Sequence, residues 1–191
     1  MHWTEIPGWF QWRTAQVDAV QHFPDGSRFV EVGSYLGRSV CSLGELIASS
    51  GKSISIYAVD TCQGSGPEGP HARDYHGQAV AEGGGTFAGT LHRNILACGL
   101  GSIVSLIVAD SATAAALCAD ASLDWVHLDA RHDYAHVKAD IAAWRPKIRP
   151  GGWLSGDDFD AAKWPGLVRA VRESCPDAEP WSTAQWRSVV R

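Results

Sequence analysis

Four side chains, near the carboxyl ends of two apolar segments, hold the most reactive chemistry in this sequence. The first segment reads Asp124-Trp125-Val126-His127-Leu128-Asp129 and runs on through Ala130-Arg131-His132-Asp133-Tyr134. The second reads Gly151-Gly152-Trp153-Leu154-Ser155-Gly156-Asp157-Asp158. As parallel neighbouring strands, the two would bring Asp129, Asp157 and Asp158 to one edge of a sheet. Three crowded carboxylates repel one another, and a hard divalent cation such as Mg²⁺ relieves that repulsion. An oxygen-only ligand set completed by water disfavours zinc. Such an ion holds a substrate hydroxyl and lowers its pKa. His132, three residues beyond Asp129, is spaced to take the proton, because imidazoles titrate near neutral pH. Asp129 and His132 are thus the catalytic candidates, and Asp129, Asp157 and Asp158 the metal candidates. A plainer reading stands beside this one: His132 and Asp133 precede a helical pattern beginning at Tyr134, and acids there cap helices.

A second constellation precedes these acids. Phe29-Val30-Glu31-Val32-Gly33-Ser34-Tyr35-Leu36-Gly37-Arg38-Ser39 reads as a strand, a glycine turn and a helix start. Gly33 permits positive φ and close approach of a ligand, and the helix start offers free N–H groups. The dinucleotide pattern GxGxxG is absent. What stands here is ExGxxxG, which favours S-adenosylmethionine over NAD because no pyrophosphate has to be cradled. The next strand ends at Asp60-Thr61, where an acid suits ribose hydroxyls. A third ends at Ala109-Asp110-Ser111, where an adenine edge would lie. The cofactor-binding candidates are Glu31, Gly33, Ser34, Gly37, Ser39, Asp60, Thr61, Asp110 and Ser111. Asp60, Asp110 and Ser111 also suit turns or helix caps.

Alternating strand and helix patterns must position these groups, which predicts an α/β fold around a mostly parallel sheet. Strands are expected near Arg28–Val32, Ser53–Val59, Ile103–Ala109, Trp125–Asp129 and Gly152–Ser155, several of them continuously apolar as doubly covered strands are. Helices are expected over Arg38–Ser49, where Val40, Leu43, Leu46 and Ile47 share a face, and over Tyr134–Trp144, where Val137, Ile141 and Trp144 do. Pro150-Gly151-Gly152 marks a turn into a strand, a helix runs from about Gly166 to Glu173, and Trp181–Val190 supplies final short strands. Residues 1–25, rich in tryptophan, read as a helical cap. Residues 62–85, rich in Gly, His and Pro, read as one long loop and a candidate substrate lid.

The 191 residues suit one domain. Net charge of −5 and scattered arginines argue against nucleic acid. Five cysteines without a CxxC pair fit free thiols in a reducing cytosol. No basic-then-apolar leader opens the chain and no apolar run approaches roughly 20 residues, so a cytoplasmic protein without membrane association is expected.

Taken together, Glu31-x-Gly33-x-x-x-Gly37-x-Ser39, Val59-Asp60-Thr61, Asp129-x-x-His132-x-Tyr134 and Pro150-Gly151-Gly152 followed by Asp157-Asp158 resemble class I S-adenosylmethionine-dependent methyltransferases. Among these the chain is most similar to the small, metal-dependent sugar O-methyltransferases of macrolide and aminocoumarin biosynthesis, over roughly Ile6 to Val171. The resemblance implies a seven-stranded Rossmann-like sheet with helices on both faces and Mg²⁺ at Asp129, Asp157 and Asp158. It also implies a base at His132, cofactor contacts at Gly33, Asp60, Asp110 and Ser111, and a small-molecule acceptor. Ala130 and the charge of Arg131 depart from the family pattern. The separate N-terminal oligomerisation domain of the macrolide enzymes is not recognisable, and a homodimer remains compatible.

Three other readings stay open on the sequence. A catechol-type phenol could be the acceptor, although that group usually ends the fifth strand in Asp-Asn. A nicotinamide-binding Rossmann protein would want the missing glycine. A non-catalytic cofactor-binding domain would leave the three acids and His132 unexplained. His71, His76 and His92 match no metal template. Trp3, Trp9, Phe10 and Trp12 suit either closure over a ligand or packing. Trp144, Trp164 and Trp186 are assigned to packing, and Arg93 and Asn94 to an exposed helix.

Overall fold

A computed structural model describes residues 1–66, 74 and 76–191. Its seven-stranded sheet contains β1 (Arg28–Val32), β2 (Ser55–Asp60), β3 (Val104–Val108), β4 (Leu123–Leu128), β5 (Ile148–Gly156), β6 (Glu179–Trp181) and β7 (Gln185–Val189), in the order β3-β2-β1-β4-β5-β7-β6. The first five are parallel, whereas β7 runs antiparallel to both β5 and β6. The order reverses between β1 and β4, and open α/β sheets bind ligands beyond the carboxyl ends of strands at such a point.

Side chains alternate across the sheet, so successive residues of a strand feed two separate cores. Phe29, Trp125 and Trp153 face one core, beneath α1 (Arg13–His22), α2 (Arg38–Ser50) and α4 (Ala88–Ala97). Val30, Val32, Val126 and Leu154 face the other, beneath α5 (Ser111–Ala116), α6 (Tyr134–Trp144) and α7 (Pro165–Ser174). Both faces are therefore covered, which explains the continuously apolar strands.

The N-terminal segment forms a 3₁₀ turn at Trp3–Glu5 followed by α1. Gln16 is buried between α1 and α2: its amide donates to the Ser39 carbonyl at 2.9 Å and its carbonyl oxygen accepts from Ser42 at 2.8 Å. Helix starts follow the predicted chemistry. Asp110 accepts the Thr113 N–H at the head of α5, Asp133 accepts the His136 N–H at the head of α6, and Pro165 opens α7.

One expectation needs correction. Residues 62–85 are not a single loop, because Gly77–Glu82 form a helix, α3. Asp74 accepts the N–H groups of His76 and Gly77, which starts the turn, and Gly83 N–H closes it on the Ala79 carbonyl. Glycine flanks on both sides hid a six-residue helix whose interior is Gln-Ala-Val-Ala. Residues 67–73 and 75, including His71 and part of the expected lid, lie outside the described residues. Asn94 also departs from its expected exposure: half-buried in α4, its side chain donates to the Leu36 carbonyl at 2.9 Å and braces the glycine turn. No described helix is long and apolar enough to cross a membrane.

Candidate active site

A cleft of about 310 Å³ opens at the carboxyl ends of β1, β2, β3 and β4. Of the predicted cofactor residues, Gly33, Asp60, Thr61, Asp110 and Ser111 line it, together with Asp129. Glu31, Ser34, Gly37 and Ser39 are not among its lining residues. Glu31 shares the Phe29 face of β1, pointing beneath the turn to accept the Ser39 hydroxyl at 2.6 Å. A larger open hollow of about 570 Å³, bordered by Lys138, Arg145 and Arg191, contains none of the predicted site residues.

The requirement for glycine at position 33 is set by the neighbouring strand end. Gly33 has φ +93°, and a Cβ there would overlap the Asp129 carbonyl and come within 2.7 Å of the Ala130 Cα. Its N–H donates to the Val59 carbonyl at 2.8 Å, while Asp129 N–H donates to Val32 at 2.8 Å. The turn and the acid-bearing loop are thereby locked together. Gly33→Ala is expected to destabilise the fold by about 3 kcal/mol, combining left-handed strain with overpacking against backbone. Urea unfolding measures this, and a loss below about 1 kcal/mol would show the loops move apart freely.

Asp60 serves the same turn. Its carboxylate accepts the N–H of Tyr35 at 2.8 Å and of Cys62 at 2.7 Å. Burial raises its pKa, and these backbone donors oppose the rise. Tyr35 (φ 46°) and Cys62 (φ 57°) both take left-handed conformations, as does Asp158 (φ 58°) beyond β5. Non-glycine residues rarely do so, and three of them ring one strand-end surface, where strain tends to gather at functional sites.

Beside the cleft, ligand atoms of Asp129, His132 and Asp158 lie within 4.8 Å of one another. His132 Nε2 stands 3.0 Å from Asp158 Oδ2 and 3.7 Å from Asp129 Oδ1. Its ring stacks on Trp164, with centroids 4.6 Å apart, so Trp164 orients the imidazole as well as packing. Lys163 adds a cation 3.4 Å from Asp158. The third predicted acid, Asp157, turns elsewhere: its Oδ1 accepts from Gln185 at 2.6 Å and from the Asp158 N–H at 2.7 Å.

The electrostatics follow from burial and charge. Burial, then the negative charge of Asp129, pushes the Asp157 carboxyl up to about 7. Burial also raises Asp129, against the pull of His132. At Asp158 burial acts in the same direction, but His132 and then Lys163 outweigh it and hold the carboxyl below its ordinary range. Opposed shifts among three adjoining carboxyls mark a strained electrostatic cluster of the kind active sites use.

The N-terminal aromatics divide. Trp12 is buried, and its ring lies tilted against His127 with centroids 3.9 Å apart. Trp3 and Phe10 are partly buried against the same core. Trp9 is 62% exposed and lies over Tyr35, with ring centroids 5.8 Å apart. Tyr35, His76, Phe87, Arg131 and Asp140 also line the cleft, and sequence reasoning did not select them. Arg131 donates to the Ser65 carbonyl at 2.7 Å and to Asp133 at 2.9 Å, tying the segment after β2 to the segment after β4. The helical spacing of His136 and Asp140, one turn apart on α6, was the available signal for the latter.

Comparison with known proteins places this geometry. Residues 30–159 match the family model described as a methyltransferase domain. Among curated proteins, the uncharacterised protein y4gI of Sinorhizobium fredii is 28% identical over 124 residues, which is 64% of this chain and 12% of that protein. The chain therefore corresponds to about an eighth of that relative's length. The O-methyltransferase NovP superposes with a TM-score of 0.68 at 15% identity, covering 93% of this chain and 78% of NovP. A SAM-dependent O-methyltransferase from Thermotoga maritima gives 0.61 at 14% identity, covering 97% and 68%. The seven-stranded, mostly parallel sheet with helices on both faces is the one expected from the class I resemblance. By the match across two thirds of its length, this chain belongs to the methyltransferase domain family.

Proposed function

We propose that the chain transfers a methyl group from S-adenosylmethionine to a hydroxyl of a sugar or glycosylated small molecule, assisted by Mg²⁺ or another hard divalent cation. The observation that carries this reading is the convergence of Asp129, His132 and Asp158, beside a cleft rimmed by Gly33, Asp60 and Asp110. Two carboxylates and an imidazole, with the charge of Asp157 adjoining, form a donor set that fits such a cation. Asp129 and Asp158 would hold it, with a reoriented Asp157 completing the set. The ion would supply Lewis-acid polarisation of the acceptor hydroxyl.

The remaining work falls to the protein. His132 Nε2 takes the hydroxyl proton as the acceptor oxygen forms its bond to the methyl carbon and the carbon–sulfur bond breaks. Asp158 stabilises the resulting imidazolium, and the Trp164 stack keeps the ring in place. The Gly33 turn and Asp60 position the donor, converting a bimolecular collision into an oriented approach. Support for the donor comes also from the Thermotoga neighbour, whose description is SAM-dependent, and for methylation on oxygen from the O-methyltransferase NovP. The sugar acceptor rests on the Asp157-Asp158 pair and the sequence resemblance.

The test is release of S-adenosylhomocysteine from a panel of glycosylated and phenolic acceptors, with and without a chelator. Turnover with glycosylated acceptors is expected, falling at least about tenfold on chelation and returning with Mg²⁺. Chelator-resistant turnover would remove the metal from the reading, and turnover confined to phenols would remove the sugar.

A further inference from the structure

Both oxygens of Asp158 face basic groups that belong to the chain itself. Oδ2 lies 3.0 Å from His132 Nε2, and Oδ1 accepts a hydrogen bond from Lys163 Nζ at 3.4 Å. The lysine reaches this carboxylate because the chain doubles back after β5. Phe159 N–H donates to the Ala184 carbonyl, which anchors the exit from the strand beside the start of β7. Asp160 N–H then donates to the Asp158 carbonyl and Trp164 N–H to the Asp160 carbonyl, both at 2.7 Å. The Asp160 side chain tightens the turn by accepting the Ala162 N–H at 2.8 Å. Trp164 is thereby set against His132, and Lys163, the residue before it, against Asp158. Among the described residues, Asp158 is the one carboxylate with which Lys163 pairs. The ammonium also lies 5.4 Å from the centre of the Trp164 ring, which offers its charge a second resting place. With 45% of its side chain exposed, the lysine can swing into water without disturbing the turn.

We propose that Lys163 is a tethered counter-ion of the cation site: it neutralises Asp158 in the metal-free chain, leaves that carboxylate when a divalent cation binds, and so sets the affinity for metal. The inference rests on the reading of Asp129 and Asp158 as cation ligands and adds a residue that opposes the ion. Ammonium and divalent cation are like charges competing for one carboxylate, so whatever holds the first in place weakens the second. Without a counter-ion, the adjoining charges of Asp129, Asp157 and Asp158 would repel one another in the metal-free chain. A lysine suits the exchange because it is a compact point charge on a flexible stem. An arginine would grip the carboxylate through its planar fork and release it less readily.

Mn²⁺ serves as the probe, titrated calorimetrically into the wild-type chain, Lys163→Gln and Lys163→Arg without donor or acceptor, so that affinity is read apart from turnover. Lys163→Gln is expected to bind roughly threefold to tenfold more tightly, because both the competing ion pair and the repulsion of the incoming charge are removed. Lys163→Arg keeps the charge and should bind no more tightly than the wild type. A gain in affinity cannot come from damage to the fold, which weakens a site. On an Asp158→Asn background the gain from Lys163→Gln should vanish, since the competition acts through that carboxylate. A second measurement needs only the wild type: labelling of Lys163 by acetic anhydride, followed by mass spectrometry, should quicken severalfold on saturation with Mn²⁺. Labelling that Mn²⁺ leaves unchanged overturns the inference, as does a Lys163→Gln chain that binds the ion no better than the wild type. If the wild type binds no Mn²⁺, the cation reading falls and takes this inference with it, whereas binding indifferent to residue 163 overturns the Lys163 assignment alone.

Discussion

Replacing His132 with alanine is expected to lower turnover by roughly a hundredfold to ten-thousandfold, the range spanned by positioned proton-transfer groups. Affinity for S-adenosylhomocysteine should stay within about twofold, because His132 is absent from the lining of the donor cleft. The geometry allows His132 two functions, proton acceptor or cation ligand, since its Nε2 faces both Asp158 and Asp129. Titrating activity against Mg²⁺ separates them. A lost base leaves the half-saturating Mg²⁺ concentration unchanged and turnover low at saturation. A lost ligand shifts that concentration upward by about tenfold or more and lets excess Mg²⁺ restore the rate. Asp158→Ala should do both kinds of damage, since Asp158 touches the imidazole and belongs to the same ligand cluster. Wild-type turnover in His132→Ala would leave the mechanism proposed above without its proton acceptor.

How far the sequence could be read is decided by which interactions are local. The strands were legible because both faces of the sheet are covered, so that runs such as Ile56–Val59 in β2 are continuously apolar. Asp133 was legible as a cap because its partner, the His136 N–H, lies three residues away. Asp157 shows the limit. Adjacent strand-end residues project to opposite sides, so Asp157 turns to Gln185 on β7 while Asp158, with φ 58°, turns to His132. Expecting both acids in one ligand set overlooked that alternation. The same rule, applied to Phe29 and Glu31, would have sent Glu31 beneath the glycine turn rather than into the cleft. Tyr35 and Arg131 acquire their positions from packing between distant segments, and no spacing in the chain encodes that. The α3 helix was hidden for another reason: its start is fixed by Asp74, within a segment whose glycines read as loop.

Glu31 is the residue whose cost to the fold should be largest to measure. It is almost wholly buried, and burial pushes its carboxyl from an ordinary 4.5 up to about 8, with the Ser39 hydroxyl opposing and Asp129 adding to the rise. Below pH 4.5 the acid is protonated in folded and unfolded chains alike, and its contribution to stability is fully present. As pH rises toward 8 the unfolded chain releases the proton while the folded one retains it, so stability declines throughout that window and levels off above it. At about 1.4 kcal/mol per pH unit, the decline approaches roughly 4 to 5 kcal/mol. Glu31→Gln keeps an oxygen to accept from Ser39 and removes the titration. Its unfolding free energy should therefore vary far less than the wild type's between pH 5 and 8, and should exceed the wild type's at pH 8. Urea unfolding of both proteins at each pH gives the difference directly, and parallel curves would show that Glu31 ionises in the folded chain at an ordinary pH. An acid retained here at such expense answers to the site above it. Asp129 and Asp60 both raise its pKa, so its charge is coupled to the carboxylates of the cleft. A cation bound among those carboxylates should accordingly lower the Glu31 pKa and make the wild-type curve shallower, an effect that Glu31→Gln must lose.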